Sequence, residues 1–66
     1  MAHLKICRYF YCGKAISDEV TLTASGILIT RPHRAFDDAM AAIKTEWEKE
    51  HKDEKANIVV TALNTL

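Results

Sequence analysis

The chain has 66 residues, 48% of them hydrophobic, and its nine Lys and Arg are balanced by nine Asp and Glu. This length predicts one domain over residues 1–66, and the zero formal net charge excludes the usual electrostatic argument for a nucleic-acid or anionic-membrane partner. The halves differ, however. Residues 1–34 hold five basic and two acidic side chains (+3), whereas residues 35–66 hold four and seven (−3), which predicts one mildly basic surface.

Neither a secretory signal nor a membrane span is predicted. The N-terminal segment MAHLKICRYFYCGK has no apolar core of signal-peptide length. No apolar run approaches the roughly 18 residues that cross a bilayer. We therefore expect a cytoplasmic protein.

The first predicted strand is His3–Cys12, which is rich in β-branched and aromatic residues. Its alternation is imperfect because Arg8 interrupts one face, so either Arg8 lies at a bulge or both faces are partly covered. One face would hold Leu4, Ile6 and Phe10, and the opposite face Cys7, Tyr9 and Tyr11. We expect the face with Leu4 to meet the helix, and Gly13-Lys14 to form the turn that follows.

The second predicted strand is Ile16–Ala24, in which polar and apolar residues alternate cleanly, as in a sheet with one wet face. Ser25-Gly26 is expected to end it. Residues 27–31 are ambiguous, since they could form a short third strand or an apolar loop beneath the helix entrance.

An amphipathic helix is predicted over Pro32–Lys52, with Thr30 as a permitted N-cap and the proline in the first turn. Its apolar residues recur with helical spacing and should form the core against Val20, Leu22, Val60 and the first strand. These residues are Phe36, Met40, Ile43 and Trp47.

The last predicted strand is Ile58–Leu66, which is apolar on both sides. About 20 helical residues span ~30 Å, close to the length of a nine-residue strand, so the helix can carry the chain back across the sheet. The predicted fold is therefore α+β, ββαβ, with one helix on a three-stranded antiparallel sheet. Strand order 2-1-3 is favoured, and order 1-2-3 with a right-handed parallel crossover is the alternative.

The whole chain resembles a group of short proteins encoded by enterobacterial phages and prophages. The matching features are Ile29-Thr30 at the helix entrance, the stripe Phe36/Met40/Ile43, and the terminal Ile58-Val59-Val60-Thr61 with Leu63 and Leu66. The resemblance implies a ββαβ fold and a mobile-element origin. It implies no activity, cofactor or site residue.

The residues that could support catalysis or metal binding lack a suitable arrangement. Cys7 and Cys12 are five positions apart in one predicted strand and should lie on opposite faces, so we expect two reduced thiols. Their spacing is not a zinc knuckle, and the three histidines fall in different predicted elements. We expect no metal, no cofactor and no enzymatic activity.

A single helix covers only one face of a sheet, so the open face is the predicted interaction surface. We expect this surface to support a homodimer or to bind a host protein. The predicted surface consists of Lys5, Cys7, Tyr9, Tyr11, Val59 and Leu63. The alternative is a small nucleic-acid-binding protein in which bases stack on Tyr9 and Tyr11 beside Lys5 and Arg8.

Overall fold

The computed structural model describes residues 5–66, which form a three-stranded antiparallel sheet with one helix packed on it. The strands are β1 (Cys7–Ile16), β2 (Thr21–Thr30) and β3 (Asn57–Thr65), and the helix α1 (Ala35–Glu48) follows a 3-10 turn at Pro32–Arg34. The strand order is β2-β1-β3. The predicted α+β, ββαβ fold and the central position of the first strand are confirmed. His3 and Leu4 lie outside the described residues.

The β1–β2 hairpin is longer than predicted, and its turn lies at Ser17–Val20. The Ser17 backbone N–H donates to the Val20 carbonyl at 2.9 Å, and the Ser17 hydroxyl accepts from the Val20 N–H at 3.1 Å. The predicted turn at Gly13-Lys14 is wrong, because both residues lie inside β1. Ser25-Gly26 likewise does not end β2, and residues 27–30 continue that strand.

Both glycines lie within strands, at positions where neighbouring groups leave no room for a side chain. Neither has a positive φ angle. A Cβ at Gly13 would clash with Cδ1 of Ile43 and lie 2.5 Å from the Val59 carbonyl oxygen. A Cβ at Gly26 would lie 3.0 Å from the ring of Tyr11, its cross-strand partner. The glycines therefore allow close packing within the sheet and beneath the helix.

The buried stripe of α1 is displaced from the predicted one. It repeats every four residues and consists of Ala35, Ala39, Ile43 and Trp47. Burial of Ile43 and Trp47 was predicted and is confirmed, whereas Phe36 is 54% exposed and Met40 is half-buried. The small alanines allow the helix backbone to approach the sheet, which a phenylalanine in the same stripe would prevent.

Trp47 fastens the C-terminal end of α1 to the loop that follows. Its indole N–H donates to the Glu54 carbonyl at 2.9 Å, and its ring stacks on His51 with centroids 4.1 Å apart. The backbone N–H groups of Glu50 and His51 both donate to the Trp47 carbonyl, at 3.3 and 3.0 Å, and close the last turn. The helix ends at Glu48, before the predicted Lys52.

The entrance of the helix also differs from the prediction. Thr30 does not cap α1, whose first residues have no side-chain cap. The Thr30 hydroxyl instead donates to Oδ2 of Asp38, and Oδ1 of the same carboxylate pairs with Arg34 at 3.6 Å. These contacts tie the first turns of α1 to the end of β2.

The two faces of β1 are the reverse of the prediction. Tyr9 and Tyr11 are both 8% exposed, and Tyr11 packs in the core with Ile43 and Trp47. Phe10 is 37% exposed on the other face. The face with Tyr9 and Tyr11 also carries Gly13 and Ala15, and these small residues leave the space that α1 occupies. Val20, which was predicted to be in the core, is 39% exposed because it lies in the turn.

Replacing Ile43 with alanine should lower the free energy of unfolding by about 2–5 kcal/mol, since its fully buried side chain would leave a cavity. Such a loss is comparable with the whole stability of many domains of this size. Phe36→Ala is the matched control, and it should cost much less because Phe36 is half in solvent. Chemical denaturation measures both, and equal losses would contradict the observed helix face.

Gly13→Ala should destabilise the fold by about 1–3 kcal/mol, because its methyl group meets the Val59 backbone as well as Ile43. Gly26→Ala should cost less, since the atoms nearest its new methyl belong to the movable end of the Tyr11 side chain. Thermal melts of the two variants test this order. A Gly13→Ala protein as stable as the wild type would show that α1 does not lie so close to β1.

Candidate interaction surface

The face of the sheet opposite α1 has no covering element among the described residues, and we call it the open face. Alternation in β1 and the observed strand register place one residue in two from each strand on it. Its members from the three strands are Arg8, Phe10, Cys12, Lys14, Ile16, Thr21, Thr23, Ser25, Ile27, Ile29, Asn57, Val59, Ala62 and Asn64.

One end of the open face is apolar. Phe10 lies opposite Ile27, and Arg8 lies opposite Ile29, which is 71% exposed. Leu66 lies beside Arg8, because its N–H donates to the Arg8 carbonyl at 2.8 Å, and its side chain is 64% exposed. We call this end of the sheet the apolar patch. It consists of Phe10, Ile27, Ile29 and Leu66, with the exposed Ile6 preceding β1.

The charge on the open face is entirely positive. Arg8 and Lys14 point away from α1, and both are exposed. None of the three strands contains an Asp or Glu, so no acidic side chain of the sheet offsets these cations. The excess of positive charge in the first half of the sequence is thus partly displayed here.

The residues predicted to form the interaction surface do not share one face. Tyr9 and Tyr11 are buried on the α1 side, and Cys7 is half-buried with the same parity. Leu63 lies opposite Tyr11 and packs against the core. Val59 does lie on the open face, opposite Lys14, and Lys5 is exposed ahead of β1. The expectation that both tyrosines face outwards is wrong, because α1 packs on their side of the sheet.

The sequence analysis missed Phe10, Ile27 and Ile29 as members of the open face. A signal for two of them was present. The segment TLTASGILIT keeps one period of two from Thr21 to Thr30, so Ile27 and Ile29 share the parity of Thr21 and Thr23. Ending the strand at Ser25-Gly26 concealed this continuity.

The outer edge of β2 presents backbone groups that have no partner strand within the described residues. The Ser17 N–H bonds to the Val20 carbonyl, and antiparallel pairs alternate between bonded and non-bonded from that point. Every second residue of β2 therefore directs its N–H and C=O away from β1. These residues are Thr21, Thr23, Ser25, Ile27 and Ile29.

The edge of β3 differs from the edge of β2. The register with β1 shifts between Cys12 and Gly13, so Thr61 is an extra residue between Val60 and Ala62. Its hydroxyl donates to the Cys12 carbonyl at 3.1 Å. A bulge of this kind twists an edge and interrupts pairing with another strand.

Two polar side chains on the α1 side, those of Asp38 and Tyr9, have defined neighbours. The Asp38 carboxylate is held by Thr30 and Arg34. Burial raises the pKa of the Tyr9 hydroxyl above its ordinary value of 10.0, and the neighbouring Cys7 adds to this rise by charge repulsion and a hydrogen bond. Because the pKa of this phenol is raised, the Tyr9 hydroxyl stays protonated at ordinary pH.

An open groove of about 870 Å³ lies at the other end of the molecule, between the C-terminal part of α1, the hairpin turn and the loop before β3. Its walls carry both signs of charge, including Lys44, Lys52, Glu48 and Asp53. Such mixed charges do not present one sign to a ligand.

Cys7 and Cys12 are both free thiols and lie on opposite faces of β1. Within residues 5–66, no three His, Cys, Asp or Glu side chains come together in a group that could hold a metal ion. The described part of the chain also has no helix long and apolar enough to cross a membrane.

Comparisons with known proteins returned no matching family model, no matching curated protein and no matching solved structure. The resemblance to short phage and prophage proteins therefore remains a prediction.

The raised pKa of Tyr9 predicts how stability changes in alkaline solution. The unfolded chain releases the phenol proton more readily than the folded chain, so the free energy of unfolding should fall as the pH rises beyond about 10. Phenolate absorbance should show a tyrosine titrating late in the folded protein, and Tyr9→Phe should remove that component. Identical titration curves for the two proteins would contradict the environment described for Tyr9.

Proposed function

We propose that this chain is a small non-enzymatic module that associates with itself, forming a homodimer through the uncovered surface of its sheet. The observation that carries the proposal is the apolar patch, in which Ile29 and Leu66 are each more than 60% exposed. Exposed apolar side chains gathered at one end of a small domain often mark a contact with another protein.

The size of the domain supports the same proposal. A chain of about 60 residues buries only roughly 60% of the surface that its unfolded form exposes, so additional burial contributes appreciably to its stability. Both cysteines are free, so no disulfide supplements the core. A second copy that covers part of the sheet would supply the missing burial.

A cytoplasmic location and a phage or prophage origin belong to the same proposal. Free thiols are the ordinary state of cysteines in reducing compartments, which agrees with a cytoplasmic location. The origin has as its support the resemblance of the helix entrance and the last strand to short phage proteins.

Nucleic-acid binding is the second candidate function, and it is favoured by the charge of the open face. Arg8 and Lys14 flank Phe10 on β1 without an acidic neighbour in the sheet. Cations beside an exposed aromatic ring can hold a single strand through phosphate contacts and base stacking. The candidate is weaker than expected from the sequence, because Tyr9 and Tyr11 are buried and leave Phe10 as the aromatic residue of this face.

Light scattering over a dilution series tests the proposal, with Ile29→Lys as the disrupting variant. Each dimer would carry the new charge twice, so its dissociation constant should rise at least about tenfold, equivalent to about 1.4 kcal/mol. Phe36→Lys is the matched control, since Phe36 is also a half-exposed apolar residue but belongs to α1.

A wild-type protein that stays monomeric at every concentration would contradict self-association, and disruption by Phe36→Lys alone would contradict dimerisation through the sheet. Mobility shifts with single- and double-stranded oligonucleotides separate the second candidate. Binding that weakens steeply with salt and is lost in Arg8→Ala would favour nucleic acid.

A further inference from the structure

We infer that two copies of this chain join edge to edge through β2, in an antiparallel register centred on Ser25. The inference rests on the proposed self-association and specifies the surface that performs it. The result would be a continuous six-stranded sheet with the order β3-β1-β2-β2-β1-β3.

The free edge of β2 lacks the features that usually block such pairing. Natural edge strands are protected by Lys, by Pro, by bulges or by being short. β2 is ten residues long, TLTASGILIT, and contains no charged residue and no proline. Its pairing with β1 runs from Thr21 to Thr30 without a register shift. The edge of β3, by contrast, is interrupted at Thr61.

Backbone geometry restricts the possible registers. The residues that direct N–H and C=O outwards are odd-numbered, from Thr21 to Ile29, so a second β2 can pair only with odd residues opposite odd residues. The register that uses all of them places Ser25 opposite its own copy. Thr23 then lies opposite Ile27 of the second copy, and Thr21 opposite Ile29. Any other permitted register leaves outward groups of Thr21 or Ile29 unpaired.

The side chains fit this register. Except for Ser25 on the axis, the outward residues are the β-branched residues Thr and Ile, which favour strands and pack well across them. On the α1 side, the same register places Leu22 opposite Leu28 of the second copy. Both leucines are half-buried in the single chain, and the contact would cover more of their apolar surface.

The two-fold axis of this pairing passes through the sheet at Ser25, perpendicular to its plane, so it keeps the two faces distinct. Both helices lie on one side, and both open faces lie on the other. Arg8, Phe10 and Lys14 of each copy remain accessible on that side. Edge pairing therefore brings Ile27 and Ile29 of the apolar patch into the contact and leaves the basic side chains of the open face free, whereas face-to-face packing would bury them.

A charge exchange at Ser25 tests the inference. Ser25→Lys places two like charges directly opposite each other, and Ser25→Glu does the same with the opposite sign. Each variant alone should raise the dissociation constant of the dimer at least about tenfold. An equimolar mixture should restore dimers that contain one copy of each, measured by native mass spectrometry. Ser25 is exposed in the single chain, so circular dichroism should show both variants folded.

Asn64→Lys is the matched control. Asn64 belongs to β3 and lies on the open face, opposite Phe10 of β1 and away from the β2 edge. Edge pairing predicts that this variant dimerises like the wild type. Face-to-face packing predicts that it dissociates.

Disulfide trapping tests the register. In a chain with Cys7→Ser and Cys12→Ser, Thr21→Cys and Ile29→Cys proteins should form mixed disulfides when oxidised together, because opposite bonded residues lie within disulfide reach. Thr21→Cys alone should not crosslink, since its two copies would be about 27 Å apart.

The outcomes separate the inference from the proposed function. A wild-type dimer that tolerates Ser25→Lys, or that Asn64→Lys breaks equally, would overturn the β2 edge while self-association stands. A dimer without the mixed disulfide would overturn the Ser25-centred register. A wild-type chain that is monomeric throughout would overturn both proposals.

Discussion

Ile43 packs on Gly13 so closely that a methyl group at that glycine would clash with it, and this contact determines how α1 lies on the sheet. The alanines Ala35 and Ala39 are almost completely buried in the same stripe, so the helix backbone itself approaches β1. Complete burial of a side chain such as Ile43 contributes about 1.5–3 kcal/mol, a large fraction of what a domain this small can accumulate.

The same contact decides the orientation of the remaining side chains. Once α1 lies over Gly13, Tyr9 and Tyr11 have the parity of the covered face, and Tyr11 fills the space above Gly26. Phe10 must then point to the open face. The other end of the helix is fixed by Trp47, which bonds to the loop carbonyl of Glu54 and stacks on His51. The uncovered sheet and its β2 edge therefore follow from the packing of one helix.

Periodicity and element lengths were sufficient to predict the ββαβ fold, the strand order and the burial of Ile43 and Trp47. They could not predict the faces of β1, because HLKICRYFYC has large apolar or aromatic side chains on both sides. Size was the missing criterion. Gly13 and Ala15 are the residues that admit a helix, but a glycine in sequence is ordinarily read as a turn. For the same reason β2 was predicted to end at Ser25-Gly26, and Ile27 and Ile29 were not assigned to either face of the sheet.

The helix stripe was misplaced for a related reason. Phe36 and Met40 have stronger hydrophobic character than Ala35 and Ala39, and periodicity alone selects the larger residues. A helix that must lie close to a glycine in the sheet selects the smaller ones. The predicted interaction surface had a separate error, since its tyrosines were assigned to the open face although the helix covers their side of β1. Val59 was assigned to the open face correctly because β3 enters with simple alternation.

Amide hydrogen exchange measured across a range of protein concentrations tests most directly whether the sheet edge left free by this packing receives a second chain. The account predicts that the outward amides of Thr23, Ser25 and Ile27 exchange rapidly in dilute solution and become protected as concentration rises. The amides of Leu63 and Thr65, on the β3 edge, should exchange at the same rate throughout. Exchange at Ser25 that does not change with concentration, or protection that arises at Leu63 instead, would contradict the account.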